Sequence, residues 1–278
     1  MTNWKKGIAS ALMGVALVAT CALTTACGGT SAGDATTGAA ATSDMKLVSD
    51  GKLTVAFSNG FPPMEFSEDG SNDVTGFDID LIKAVAEDMG LEAEILPTQK
   101  FDTLVPTIKA SGKADVCISA VTINDERKKE IAFSDPYLDS NQAILAGKDS
   151  TATSLDDFNK KGVTVVCSAG TTGEAWAKEN LPNATVLPLD DYVSCFTGTM
   201  AGNYDACVAD LPVAGYLVKN SYKDLKICAE VPTGEQYGIV MAKDNTALQT
   251  AVNKSLANLE ENGKMDELKQ KWFGTTDL

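Results

Sequence analysis

Short apolar runs alternate with stretches of helical periodicity through the first half of the chain. Buried strands are predicted at Lys52–Phe57, Glu92–Leu96 and Ala114–Ala120, because each is a mainly apolar run bounded by turn residues. One helix is predicted from a face of regularly spaced apolar residues, namely Phe77, Leu81, Ile82, Val85 and Met89. A second helix is predicted over Phe101–Ala110. The order βαβαβ favours a mostly parallel sheet flanked by helices.

The same alternation begins again in the second half. Strands are predicted at Gly162–Cys167, Ala184–Pro188 and Asp205–Ala209. Helices are predicted from Thr171 or Thr172 to Asn180, and over Tyr192–Ala201. Two copies of one α/β architecture predict two lobes with a crevice between them, and ligands of such sheets bind outside the carboxyl ends of the strands.

The last part of the chain is too short for a third domain. Gln236–Met241 is followed by two amphipathic helices, predicted over Leu248–Asn262 and Lys264–Trp272. We expect this segment to pack back on the first lobe.

The N-terminal segment has the basic head and uncharged apolar run of a secretory signal, predicted over residues 1–26. Leu23-Thr-Thr-Ala-Cys27 resembles a bacterial lipoprotein signal, which predicts lipidation at Cys27, with Cys21 as the alternative. A membrane-spanning helix is the competing interpretation. Residues 27–45 are rich in Gly, Ala, Thr and Ser, a composition that predicts a flexible tether.

Composition excludes several classes of function. The formal net charge of −15 argues against nucleic acid and anionic lipid as partners. The chain has no histidine, which removes His-based catalysis and His-ligated metal sites. Carboxylates alone are able to support acid/base chemistry, so an enzyme is disfavoured rather than excluded.

Five cysteines lie in the predicted folded part, and their odd number excludes complete internal pairing: Cys117, Cys167, Cys195, Cys207 and Cys228. No C-x-x-C spacing indicates a metal or redox site. In an exported protein one or two disulfides are possible, and apolar strand positions are the alternative for Cys167 and Cys207.

Arg127 is the single arginine among 23 basic residues, and the others are all lysine. Its planar guanidinium forms two parallel hydrogen bonds to a carboxylate, which an ammonium group does not. The alternative is a surface arginine in a charged run, because Asp125, Glu126, Lys128 and Lys129 surround it.

Six motifs stand out along the chain. In sequence order they are Phe61-Pro-Pro-Met-Glu-Phe66, Gly76-Phe-Asp-Ile-Asp-Leu81, Ile118 to Arg127, Phe133-Ser-Asp-Pro-Tyr137, Gly170-Thr-Thr-Gly173 and Lys271-Trp-Phe-Gly274. Taken together, they resemble the family 3 extracellular solute-binding proteins of polar amino-acid ABC importers. The resemblance covers residue 46 to the end. It implies a two-lobed periplasmic-binding-protein-like (type II) α/β fold with two hinge crossings, near Tyr137–Gln142 and Val231–Gln236. Lobe 1 is then residues 46–139 and 236–278, and lobe 2 is residues 140–235.

The resemblance also assigns residues that recognise a zwitterion. Arg127 matches the arginine that holds the ligand α-carboxylate, Thr122 the hydroxyl that assists it, and Ala120 a backbone contact to the ligand. Thr171 and Thr172 open a helix, whose free N–H groups favour the same anion, although an ordinary helix cap explains them equally well. Asp210 matches the acid that binds the α-ammonium, and a turn residue is the alternative there.

Four further positions bear on ligand identity. Phe61 and Phe101 match residues that pack the ligand side chain, and both would also suit a core. Ser58 and Ser168 stand where some relatives carry an acid and a lysine, so an uncharged, polar or small side chain is expected. Asp78, Asp80 and Asp135 are interpreted as structural carboxylates.

The expected function is the substrate-binding component of an ABC importer, which delivers a free amino acid to a membrane permease. We expect an exported, lipid-anchored monomer on the outer face of the bacterial cytoplasmic membrane, without catalytic activity, cofactor or metal. A periplasmic enzyme on the same scaffold, resembling cyclohexadienyl dehydratase, and an amino-acid-sensing module are the alternatives.

Overall fold

The computed structural model describes residues 45–67, 73–110 and 112–276. Its strands are β1 (Lys52–Ala56), β2 (Phe66–Ser67), β3 (Val74–Thr75), β4 (Glu92–Ile95), β5 (Val116–Cys117), β6 (Ala132–Phe133), β7 (Leu138–Gly147), β8 (Thr164–Ser168), β9 (Thr185–Leu189), β10 (Ala206–Asp210), β11 (Leu225–Tyr237) and β12 (Val240–Met241). Its helices are α1 (Phe77–Asp88), α2 (Leu104–Lys109), α3 (Asp125–Lys128), α4 (Leu155–Phe158), α5 (Thr172–Asn180), α6 (Tyr192–Met200), α7 (Leu211–Asn220), α8 (Thr246–Glu261) and α9 (Lys264–Phe273). A 3-10 turn at Phe101–Thr103 leads into α2.

The first lobe is built on a sheet with the strand order β4-β1-β5-β12-β6. β1 pairs in parallel with β4 and β5, whereas β12 runs antiparallel to β5 and β6. Because the apolar face of α1 covers this sheet, its side chains Phe77, Leu81, Ile82 and Val85 are fully buried.

The second lobe repeats this arrangement with the order β11-β7-β10-β8-β9. β8 pairs in parallel with β9 and β10, and β7 runs antiparallel to β10 and β11. Each five-stranded sheet therefore has four strands that run in one direction and one reversed strand, β12 or β7, between the third and fourth of them. The predicted two-lobed α/β fold is confirmed.

Both crossings between the lobes are strands, and they pair with each other. β7 and β11 run antiparallel from Leu138 opposite Tyr237 to Gly147 opposite Leu225. Their register shifts between Val231 and Glu235, where Pro232 and Gly234 interrupt regular pairing. The predicted hinge segments thus lie side by side in one ribbon, while the exact lobe limits stay a prediction.

The C-terminal helices pack against α1 of the first lobe, as expected. Asp80 of α1 accepts hydrogen bonds from Trp272 Nε1 at 2.8 Å and Lys271 Nζ at 2.6 Å, both on α9. This fixes the end of the chain and agrees with a structural role for Asp80.

Several details differ from the sequence predictions. The strand predicted over Ala114–Ala120 is only β5, because Ala120 has a left-handed backbone with φ of 47° that turns the chain. Met45, the last residue assigned to the tether, is instead buried against the core, because its apolar side chain packs there. The signal, Cys27 and the rest of the tether lie outside the described residues.

Cysteine pairing was left open by the sequence. In the part of the chain that the structure describes, Cys117, Cys167, Cys195, Cys207 and Cys228 are all free thiols. The first four are buried strand or helix residues, which matches their apolar surroundings. Among these same residues, no helix combines the length and hydrophobicity needed to cross a bilayer.

Candidate ligand-binding site

The ends of the strands meet at one cavity between the two lobes. All ten residues predicted to contact a ligand line it: Ser58, Phe61, Phe101, Ala120, Thr122, Arg127, Ser168, Thr171, Thr172 and Asp210. They come from the loops after β1, β5 and β8, from the last residues of β8 and β10, and from the starts of helices. This explains why residues far apart in sequence converge. Their contact with a ligand stays a prediction.

Arg127 reaches the cavity from the short helix α3, which begins where Asn124 Oδ1 accepts a hydrogen bond from the Arg127 N–H. Its guanidinium donates from Nη1 to the Thr122 carbonyl at 2.9 Å and from Nη2 to the Gly170 carbonyl at 3.0 Å. Burial lowers the pKa of Arg127, and the charges of Asp210 and Glu235 oppose that change. These two bonds use two of five donors, so the guanidinium keeps donors for a carboxylate.

The hydroxyl groups of Thr122 and Thr172 face each other across the cleft, with their oxygens 3.4 Å apart. Both donate to Glu235 Oε2, Thr172 at 3.0 Å and Thr122 at 3.3 Å. Gln142 Nε2 donates to the same oxygen at 2.9 Å. A carboxylate of the crossing strand β11 therefore sits among donors from both lobes.

Thr171 serves as the N-cap of α5. Its hydroxyl donates to the Ser168 carbonyl at 2.7 Å and accepts from the Glu174 N–H at 3.1 Å. A hydroxyl has one proton, so the Thr171 side chain has none left to give a ligand. Thr171 is thus left only its backbone N–H as a donor for a ligand, and its side chain acts as the helix cap given as the alternative.

Asp210 ends β10 and is buried at the junction with the crossing strands. Its Oδ1 accepts from Gln142 Nε2 at 2.8 Å, and its Oδ2 accepts from the Tyr237 hydroxyl at 2.5 Å. Burial, helped by the charge of Glu235, raises the pKa of Asp210 to about 6, although the Tyr237 and Gln142 hydrogen bonds oppose the rise. Two acceptor positions of the carboxylate remain for an ammonium group.

Aromatic rings line the cavity on both sides. Phe61 of the first lobe stacks on Tyr192 of the second, with ring centroids 4.4 Å apart and an interplanar angle of 23°. The Arg127 guanidinium lies over the Phe101 ring, 5.6 Å from its centroid. Stacking and cation–π contacts of this kind hold rings and guanidinium in place.

Ser58 and Ser168, two of the four positions expected to bear on ligand identity, are uncharged. Ser58 contacts Ser119 through its backbone, with its N–H 3.2 Å from Ser119 Oγ. Ser168 is buried at the end of β8. At the rim, Asp190 pairs with Lys100 of the first lobe at 2.7 Å, and both side chains are exposed.

Contacts between the lobes show that the structure is closed. Arg127 bonds Gly170, Thr122 meets Thr172, and Phe61 stacks on Tyr192. A Cβ at Gly170 would lie 3.0 Å from Asp102 Cβ of the opposite lobe, so the glycine allows this close approach.

Sequence reasoning missed several residues at this site: Glu65, Gln142, Tyr192, Glu235 and Tyr237. Glu65 belongs to the Phe61–Phe66 motif, which offered a signal for it. Gln142 and Glu235 lie in the predicted hinge segments. No strand is predicted there, so the sequence gives no indication of the direction in which their side chains point.

The sequence profile of the bacterial extracellular solute-binding proteins, family 3, matches residues 53–275. The chain belongs to this family. It is 34% identical over 226 residues to the L-cystine-binding protein TcyJ of Escherichia coli K12, covering 81% of this chain and 83% of that protein. The ABC transporter glutamine-binding protein GlnH of Bacillus subtilis is 32% identical over 205 residues, which cover 73% of this chain and 74% of GlnH.

Among solved structures, the chain is similar to the ancestral amino acid-binding protein AncCDT-1, a precursor of cyclohexadienyl dehydratase. The TM-score is 0.74 at 36% identity, covering 80% of this chain and 96% of that one. The two relatives named above are therefore binding proteins for L-cystine and glutamine, and a precursor of an enzyme shares the scaffold.

Proposed function

We propose that this protein is the substrate-binding component of an ABC importer and captures a free amino acid between its two lobes. One observation carries the proposal: a guanidinium with free donors, at Arg127, and a buried carboxylate, at Asp210, line the same cavity. Such a pair matches the two charges of a zwitterion. Amino-acid-binding relatives support this assignment.

For the side chain of the ligand, we infer an uncharged group, polar or small. Ser58 and Ser168 line the cavity without charge, and Ser119 beside Ser58 adds a further hydroxyl. Phe61, Phe101 and Tyr192 supply apolar surface around these polar groups. A neutral polar side chain finds partners here without leaving a buried charge uncompensated.

The lobes would open and close by bending of the β7–β11 ribbon, and the closed protein would dock on a permease in the membrane. Export, the lipid anchor at Cys27, and the monomeric state belong to this proposal. So does the absence of catalysis, since the proposed role needs only binding and release.

A thermal-shift screen of the purified protein against the common amino acids tests the assignment. An amino acid at one hundred times its dissociation constant stabilises the folded state by about 2.7 kcal/mol, which is easily measured. We expect a shift with at least one neutral amino acid. If no amino acid moves the transition, the proposed function is wrong.

An enzyme on the same scaffold is the second candidate, because the ancestral relative is a precursor of a dehydratase. Incubation of the protein with cyclohexadienyl substrates of such a dehydratase, followed by chromatography of the products, separates the two. A binding protein should form no product above the level of the buffer control. Product formation would favour the enzyme over the binding protein.

A further inference from the structure

Two acidic side chains lie buried next to each other beneath the cavity. Glu65 lies in the loop before β2 and is 1% exposed, and Asp78 lies in the first turn of α1 and is 0% exposed. Glu65 also lines the cavity itself. Buried carboxylates are costly unless each is compensated, so this pair needs an explanation.

The two carboxyl groups accept hydrogen bonds from Ser119 and Ala120 at the floor of the cleft and from Tyr137 at the hinge. Glu65 Oε1 accepts from the Ser119 hydroxyl at 2.7 Å. Asp78 Oδ2 accepts from the Ala120 N–H at 2.7 Å and from the Tyr137 hydroxyl at 3.0 Å. Each carboxyl group is thus held through one oxygen.

The other oxygen of each group, Glu65 Oε2 and Asp78 Oδ1, is buried without a hydrogen-bond partner. The two side chains are nevertheless within hydrogen-bonding reach of each other. Two unprotonated carboxylates in this position repel, whereas one proton between them satisfies both free oxygens.

We propose that Glu65 and Asp78 share one proton, carried by Glu65 and donated to Asp78, and that this bond positions Ser119 and Ala120 at the cleft floor. The positioning role rests on the proposed function, because the Ala120 backbone contacts the ligand in the proposed amino-acid site. The shared proton itself does not depend on that assignment.

The surrounding charges favour retention of this proton. Tyr137, Cys117 and Asp210 are titratable groups that interact with the pair, and the negative charge of Asp210 raises the pKa of Glu65. Arg127 lines the same cavity as Glu65, but its guanidinium donates to the Thr122 and Gly170 carbonyls. Burial is the largest cause that raises the pKa of Glu65 well above its usual range, and the charge of Asp78 adds to it. Burial likewise raises the pKa of Asp78 to about 7.

The positioning role follows from the backbone at Ala120. Its φ of 47° is a left-handed conformation that residues with a Cβ rarely adopt, so the turn must be held by its contacts. The Asp78 carboxylate supplies one through the Ala120 N–H, and Glu65 fixes the neighbouring Ser119 hydroxyl. Both residues therefore act through others and are positioning residues.

Glu65→Gln tests the shared proton, because its amide donates to Asp78 and accepts from Ser119 just as a protonated Glu65 does. The folded wild type retains a proton that the unfolded chain releases above about pH 4.3. We therefore expect the ratio of the wild-type unfolding constant to that of Glu65→Gln to increase with pH. The increase should be up to about tenfold per pH unit above about pH 5, until the pair ionises.

Urea unfolding from pH 5 to 9 measures this ratio, with Glu87→Gln as the control, since Glu87 is exposed on the same helix as Asp78. A ratio that does not change with pH would overturn the proposal. Infrared spectroscopy of the wild type at pH 7.5 gives a test without any variant. It should show a carboxylic-acid band, and absence of this band in the folded wild type contradicts the shared proton.

Amide hydrogen exchange at Ala120 tests the positioning role without a ligand, so a failed amino-acid assignment does not affect it. We expect Glu65→Gln to keep the protection of the Ala120 N–H and Glu65→Ala to lower it at least tenfold, both measured at pH 6. Equal protection in the two variants would show that Glu65 does not hold this turn.

Discussion

The Thr172 hydroxyl donates to Glu235 Oε2 at 3.0 Å, although Thr172 is one of the residues predicted to hold the ligand carboxylate. A threonine hydroxyl has a single proton, so it serves either Glu235 or a ligand carboxylate. The same limit applies to Thr122, which reaches the same oxygen at 3.3 Å. Glu235 therefore competes for the donors that the proposed carboxylate site needs.

Glu235→Gln should strengthen binding of the amino acid found in the thermal-shift screen. The substitution removes a negative charge close to Arg127. It also weakens the hydrogen bonds that the Thr122 and Thr172 hydroxyls donate to residue 235. We expect affinity to increase about fivefold, or ~1 kcal/mol, by isothermal titration calorimetry. Glu230→Gln is the matched control, since Glu230 is exposed on the same strand. Weaker binding in Glu235→Gln would mean that Glu235 orients the hydroxyls for the ligand instead.

Arg127→Lys should keep the fold and lose most of the affinity. An ammonium group supplies one point charge, whereas the guanidinium gives two parallel donors while also bonding Thr122 and Gly170. We expect a loss of ~2 kcal/mol or more, about thirtyfold, in calorimetry. Lys129→Arg, an exposed exchange two residues away, should bind as the wild type does. Unchanged affinity in Arg127→Lys would remove Arg127 from the site.

Affinity for a zwitterionic amino acid should decrease as the pH drops below about 6. Burial raises the pKa of Asp210 to about 6, so protonation there removes the anion that the α-ammonium needs. The limiting slope is about tenfold per pH unit, since one proton competes with one ligand. Binding measured from pH 4.5 to 7.5 should lose this slope in Asp210→Asn and retain it in Glu179→Gln, an exposed control. An unchanged slope in Asp210→Asn would assign the titration to another group.

Gly76→Ala should destabilise the first lobe strongly. A Cβ at this position would lie 2.1 Å from the Met64 carbonyl oxygen, and the φ of 136° is unfavourable for alanine. We expect a loss of ~3 kcal/mol or more in urea unfolding. Gly90→Ala separates the two causes, because it has a φ of 73° with no atom within 4 Å and should cost only about 1 kcal/mol. Equal losses would show that the loop around Met64 moves aside easily.

Much of the fold was predictable because apolar periodicity and strand-end motifs agree with each other. Strands β1 and β8 and helices α1, α5 and α8 follow from such patterns. The ten predicted residues that line the cavity follow from the resemblance to the family 3 solute-binding proteins, and the convergence of the strand ends at one edge agrees with it.

The crossing strands were missed for a physical reason. β11 contains Pro232 and Gly234, which usually exclude a strand, and pairing continues only because the register shifts there. β7 starts with the polar stretch Asp139–Gln142, in which Gln142 bonds Asp210 at the end of β10 and Asp139 bonds Gln236 of β11, so these side chains do not follow the apolar pattern of a core strand. Roles for Gln142 and Glu235 depend on that pairing and could not come from local sequence.

The β7–β11 ribbon constrains how the two lobes are able to move. The paired ends, Leu138 with Tyr237 and Gln142 with Val231, oblige both crossings to bend together. Twisting or sliding one lobe against the other would break these pairs, whereas bending at the irregular stretch between Val231 and Glu235 would not. The ribbon thus favours one bending motion, so the proposed permease would need to sense only one angle to tell a loaded protein from an empty one.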